Sequence, residues 1–147
     1  MDPFPHHYTV RASANSQGDV AIDAQKLPGL VTATPAEFGG PGDRWSPETL
    51  LVAAVADCFA LTFRGIAAVS KLSWISLSCE VTGSLDRVDH VTQFNGFVVR
   101  ARLEVASEAS RDQAMRMLAK AEQTCLVTNS LKGKCKLEAV VEAAVAA

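Results

Sequence analysis

A chain of 147 residues with 48% apolar side chains can fill one ordinary hydrophobic core, so a single domain over residues 1–147 is expected. The formal net charge of −2 leaves no basic surplus for nucleic acid and no acidic tail for disorder. The opening Met1-Asp2-Pro3-Phe4-Pro5 lacks the features of a secretory signal, and the longest apolar stretch, Leu50 to Phe63, is too short for a bilayer and contains Asp57. These readings point to a cytoplasmic protein without a nucleic-acid or membrane partner.

Tyr8 to Ala14 alternates as a strand does, Ser16-Gln17-Gly18-Asp19 reads as a turn, and Val20 to Ala24 reads as the returning strand. Leu30 to Thr34 is a third short strand, followed by a glycine- and proline-rich loop from Phe38 to Asp43. A helix then starts with strong signals. Ser46 suits the N-cap, Pro47 the first helical position, and Glu48 the positive end of the helix dipole. The pattern predicts a helix to about Val69. It is apolar on nearly every face, and such a helix must be covered all round. One sheet covers only part of it, so a partner subunit is expected, most simply in a two-fold dimer.

Ser73 to Ser84 alternates next, with Ile75, Leu77, Cys79 and Val81 on one face. Leu85 to His90 reads as a hairpin connection, widened by Asn95-Gly96. Phe97, Val99, Ala101, Leu103 and Val105 then alternate with Arg100, Arg102 and Glu104. A second helix is predicted from Glu108 to Cys125, capped by Ser107 or Ser110, with Ala114, Met117, Leu118, Ala121 and Cys125 at helical spacing. Gly133 lies in a turn, and Cys135, Leu137, Ala139 and Val141 alternate in a last strand. The order βββ-α-ββ-α-β makes an α+β domain rather than a regular parallel α/β sheet.

The four cysteines form no CxxC pair, so neither a zinc site nor a disulfide framework suggests itself. No phosphate-binding loop, dinucleotide fingerprint, HExxH or GxSxG is present. Cys79 and Cys135 fall on the apolar faces of strands, where cysteine packs as a small hydrophobe. In isolation Cys58 also reads most simply as a core residue. Yet Asp57 beside it is a charge that must find water, a partner or a helix end. Cys125 stands where the second helix gives way to Thr128, Asn129 and Ser130, a polar setting. Arg44 and Arg64 read as surface charges, and His6, His7 and His90 as solvated side chains.

Two segments carry a resemblance. Ser46 to Phe59, with Glu48 and Cys58 ten residues apart, resembles the first cysteine motif of the OsmC/Ohr family (osmotically inducible protein C and organic hydroperoxide resistance protein). Ala121 to Ser130, around Cys125, resembles the second. The resemblance implies an OsmC-like α+β fold, with an intertwined homodimer around a long buried helix and active sites at the subunit interface. It implies a thiol-dependent peroxidase that reduces organic hydroperoxides to alcohols. Cys58 would be the peroxidatic cysteine, Cys125 the resolving one, and Glu48 the family glutamate that pairs with an arginine. No bound cofactor is implied. The reductant would be an external dithiol, such as a lipoylated protein. Two positions depart from the family pattern. Leu126 replaces the usual proline after the second cysteine, and Ser16-Gln17-Gly18-Asp19 lacks the usual arginine of the first hairpin turn.

The attacking species would be a thiolate, so Cys58 needs a pKa below the free value of ~8.5. A mid-helix position offers no dipole help, so a cation is expected, and Arg44 and Arg11 are the candidates. Phe59, Phe38 and Trp45 are expected to line an apolar pocket. The alternative is a non-catalytic OsmC-like protein that binds an apolar ligand or senses redox state at the dimer interface.

Overall fold

A computed structural model describes residues 1–145 of the chain, which divide into two compact units, Met1–Leu51 and the described residues from Val52 onward. The first holds an antiparallel meander of three short strands, β1 (Arg11–Ser13), β2 (Val20–Asp23) and β3 (Leu30–Thr32). Each strand is shorter than its alternating pattern. Only three residues of Tyr8–Ala14 find partners on β2, and Tyr8 and Val10 remain exposed. A single 3-10 turn, Ala36–Phe38, follows. Gly40 is required just after it, because a Cβ there would overlap the Thr34 carbonyl. The chain then returns beside β3, where the Ala33 N–H donates to the Trp45 carbonyl at 2.9 Å.

α1 (Pro47–Val69) starts in this unit with the cap its sequence promises. Ser46 Oγ accepts from the Thr49 N–H at 3.1 Å, and the Ser46 N–H donates to Thr49 Oγ1 at 2.8 Å. Thr49 thus stands in for the usual glutamate of a reciprocal capping box.

The second unit carries the core. Its sheet has the order β4-β5-β6, with β4 (Trp74–Val88) antiparallel to β5 (Val91–Val105), and β6 (Lys134–Ala143) parallel to β5. The parallel pair needs a crossover, and α2 (Arg111–Thr124) supplies it, followed by the single turn α3 (Leu126–Asn129). Phe97, Val99, Ala101, Leu103 and Val105 are buried on one sheet face. Ala114, Leu118 and Ala121 of α2 and the stripe Val55, Phe59, Phe63 and Ala67 of α1 complete the core. Phe63 meets the Trp74 ring edge to face at 5.4 Å. The opposite sheet face is charged, with Arg100 between Glu80 and Glu138.

α1 is long and apolar enough to cross a membrane by length and composition. However, its Val55–Ala67 stripe belongs to the core, and Asp57 is exposed at mid-helix. Leu61 and Val69, elsewhere on α1, stay exposed.

The α+β order matches the expectation, with three local corrections. Ile75 does not join the buried face. A bulge between Trp74 and Ser76 turns it outward and leaves it exposed. Leu85 to Val88 are strand rather than connection. The turn is only Asp89-His90, both at positive φ (49° and 66°), as a type I′ hairpin requires. Asn95 widens the hairpin from inside β5, in a second register shift at Ser84 and Leu85. Finally, Cys125 is not helical, and this matters for the site.

Candidate active site

Cys58 is half-buried at mid-α1, and Asp57 beside it is exposed. One turn onward, Thr62 Oγ1 lies 3.8 Å from the Cys58 sulfur. The second half of the site is a bend. α2 ends at Thr124, whose hydroxyl turns back to the Lys120 carbonyl at 2.8 Å. Cys125 then adopts an extended backbone, with φ −63° and ψ 111°, and α3 begins at Leu126. Three bonds hold the bend. The Asn129 N–H and the Thr128 hydroxyl both donate to the Cys125 carbonyl, at 3.0 and 3.1 Å. Asn129 Nδ2 donates to the Gln123 carbonyl at 3.3 Å, satisfying an end of α2 that would otherwise be orphaned.

The bend brings the Cys125 thiol close enough to Cys58 for each to shift the other's pKa. Both thiols are free, and Cys125 is only 1% exposed. Burial pushes the Cys58 thiol up. Hydrogen bonds from the Val127 N–H, the Cys125 thiol, the Thr62 hydroxyl and the Leu126 N–H outweigh it and hold the pKa below the ordinary value. Cys125 is shifted the other way. Burial raises it most, and its bond and proximity to Cys58 add to the rise against the Thr128 N–H. Cys58 is therefore the better thiolate, and Cys125 remains the protonated neighbour that donates to it. The influences that lower the Cys58 pKa are neutral donors.

Cys79 and Cys135 lack this environment. Burial, then the neighbouring Cys135, pushes Cys79 up to about 11. Burial, then Glu122, pushes Cys135 up to about 11.

The remaining expected residues lie in the first unit, apart from Phe59. Glu48 stands in the first turn of α1, and its Oε2 is buried without a hydrogen-bond partner among the described residues. Arg44 is paired with Asp19 at 3.2 Å and Asp43 at 3.3 Å. It lines an open hollow of about 320 Å³ with Val31, Trp45 and Thr49. Arg11 is exposed on β1, opposite Asp23 in register. Phe59, expected to line a pocket, is buried in the core instead, while Phe38 and Trp45 are exposed. Among the described residues, no cluster of His, Cys, Asp or Glu could hold a metal ion.

Sequence reasoning missed Thr62 and the main-chain donors. Thr62 carried a readable signal, one helical turn from Cys58.

Residues 40–140 match the family model described as OsmC-like protein. The chain belongs to the OsmC-like family. The Bacillus subtilis (strain 168) protein YmaD is 26% identical to this OsmC-like chain over 138 residues, covering 90% of it and 91% of YmaD. An OsmC-like protein from Vibrio cholerae superposes with a TM-score of 0.84 at 17% identity, over 92% of this chain and 100% of the other, a likeness of fold alone. A Legionella pneumophila organic hydroperoxide resistance protein superposes with a TM-score of 0.72 at 26% identity, over 95% and 99%. The two solved structures thus superpose on the α+β fold of this chain.

Proposed function

We propose that the chain is a thiol-dependent peroxidase for organic hydroperoxides. The observation that carries this reading is the contact between Cys58 and Cys125, with hydrogen-bond donors gathered on the Cys58 sulfur. The Legionella relative's description as an organic hydroperoxide resistance protein supports the substrate class.

The Cys58 thiolate attacks the distal oxygen of the peroxide and breaks the O–O bond. The alkoxide takes a proton and leaves as an alcohol, and Cys58 becomes a sulfenic acid. Cys125 gives up its proton and attacks that sulfur, so that water leaves and a Cys58–Cys125 disulfide forms. An external dithiol, such as dihydrolipoamide or a lipoylated protein, reopens the bond by exchange and is itself oxidised. The depressed Cys58 thiol makes it the attacker, and buried Cys125 is protected from over-oxidation until it is needed. Glu48 is the matching family glutamate, and its unpartnered oxygen leaves it able to orient a guanidinium. The exposed apolar residues of α1 favour coverage by a second copy in a homodimer. The reaction is placed in the cytoplasm, where such dithiols are kept reduced.

Cumene hydroperoxide with dihydrolipoamide tests the reading. Turnover is expected in the wild type and lost by roughly a hundredfold or more in Cys58→Ser, as for removal of a nucleophile. Cys125→Ser should stall at the sulfenic acid, which dimedone traps as a mass adduct. Turnover that survives Cys58→Ser overturns the proposal.

A further inference from the structure

One face of α1 is left uncovered by its own chain. At about 100° per residue, Leu61 stands at the centre of that face, with Ala54, Gly65 and Ala68 within about 40° of it. All four are exposed. The face carries two charges, Asp57 and Arg64, which are exposed too. They fall on the same flank, about 40° and 60° from Leu61. Among the described residues neither finds a salt-bridge partner. Gly65 adds an independent observation. A Cβ there would meet nothing within 4 Å, so its own chain has no packing need for a glycine. Glycine inside a helix is destabilising relative to alanine, and a close approach from outside the chain gives it a use.

The placing of the two charges decides what fits. Asp57 and Arg64 stand two helical turns apart, about 10 Å along the axis. A two-fold axis at Ala60 and Leu61, midway between them, reverses each residue's height and keeps its flank. Asp57 then meets Arg64 of the partner subunit, and Arg64 meets the partner subunit's Asp57. A parallel pair of helices would set the two aspartates level on opposite flanks and answer neither charge.

We propose that this face of α1 docks antiparallel on α1 of a second copy, held in register by two reciprocal Asp57–Arg64 ion pairs. The contact gives a definite form to the homodimer proposed above, on which it rests. The small residues around Leu61 let the two helices come close. Pairing also sets a cation beside the carboxylate that precedes Cys58, offsetting its repulsion of a thiolate there.

Sedimentation equilibrium of the full chain tests the contact by exchanging the charges. Asp57→Arg sets like charges opposite each other, and so does Arg64→Asp. Each should weaken the dimer at least about 10-fold, and the double variant should return to within about threefold of wild type. A wild type that stays monomeric, or a double variant no tighter than the single ones, overturns the proposal. If the single variants do not fold, Arg64→Lys decides. It keeps the charge and supplies an amine that a water-soluble carbodiimide couples to a carboxylate in contact. A covalent dimer joined between Asp57 and position 64 is expected in peptide mass spectra, and a product that stays monomeric overturns the proposal. Binding of the wild type to phosphatidylcholine vesicles in place of dimer formation overturns it in favour of a lipid occupant. Absence of peroxide turnover, with the charge exchange intact, would sink the peroxidase and leave this contact standing. A dimer indifferent to the exchange, with turnover intact, would do the reverse.

Discussion

Two pairs of cysteines sit in the same unit, and their surroundings differ in kind. Cys79 and Cys135 stand on strands β4 and β6, where burial is the leading influence and both thiols rise to about 11. Cys58 is also penalised by burial, but four hydrogen-bond donors reverse the sign. Burial alone makes an inert thiol, whereas burial with aimed donors makes a nucleophile.

The largest expected difference is in reactivity. A thiol at about 11 is ionised to roughly one part in ten thousand at pH 7. Iodoacetamide should therefore label Cys58 at least about 100-fold faster than either sheet cysteine, since its thiolate fraction is far larger. Labelling of all three at similar rates would break the comparison. The pH dependence has a defined sign. The Cys58 pKa is depressed on folding, so its contribution to stability is present above the unfolded thiol pKa and is lost as pH falls through the folded value. Urea midpoints of wild type and Cys58→Ala should accordingly converge as the pH is lowered.

The protection of the sheet pair can be removed without touching a thiol. Phe63 is fully buried against Trp74, and Phe63→Ala should destabilise the protein by about 3–5 kcal/mol in urea unfolding. Cys79 and Cys135 should then become labelled through opening of the core. A midpoint equal to wild type would show that this core does not shield them.

A smaller effect sharpens the other side. Thr62→Val deletes the hydroxyl donor on Cys58 and should raise its alkylation midpoint by roughly half a unit to one unit. No shift would leave the bend as the whole source of activation. Asn129→Ala removes the bond from its side chain to the Gln123 carbonyl and should lower stability by about 0.5–1.5 kcal/mol in urea unfolding. The sheet thiols mark the lower bound. Cys79→Ala and Cys135→Ala should leave peroxide turnover within about twofold, since thiols held up at about 11 stay protonated and take no part in the exchange. A large loss in either would mean that the relay uses a third thiol.

Much of the fold was legible because it rests on local rules. Ser46, Pro47 and the apolar run behind them specify where α1 starts, and Thr49 completes the cap. Alternation from Leu77 to Val81 and from Phe97 to Val105 assigned the buried sheet face correctly. The errors fell where alternation is interrupted. Ile75 sits in a bulge, and Asp89-His90 makes a type I′ turn without the asparagine or glycine that usually marks one.

Sequence alone carried the helix start, the strand faces and the two motifs that single out Cys58 and Cys125, because each is written in residue types at short, regular spacing. Tertiary structure decided that the two sulfurs meet and that Cys58 is the one favoured as thiolate. It also set the Thr62 hydroxyl against the Cys58 sulfur. Cys58 and Cys125 stand far apart along the chain, so no local rule pairs them, and only the fold sets the second thiol where it lowers the pKa of the first.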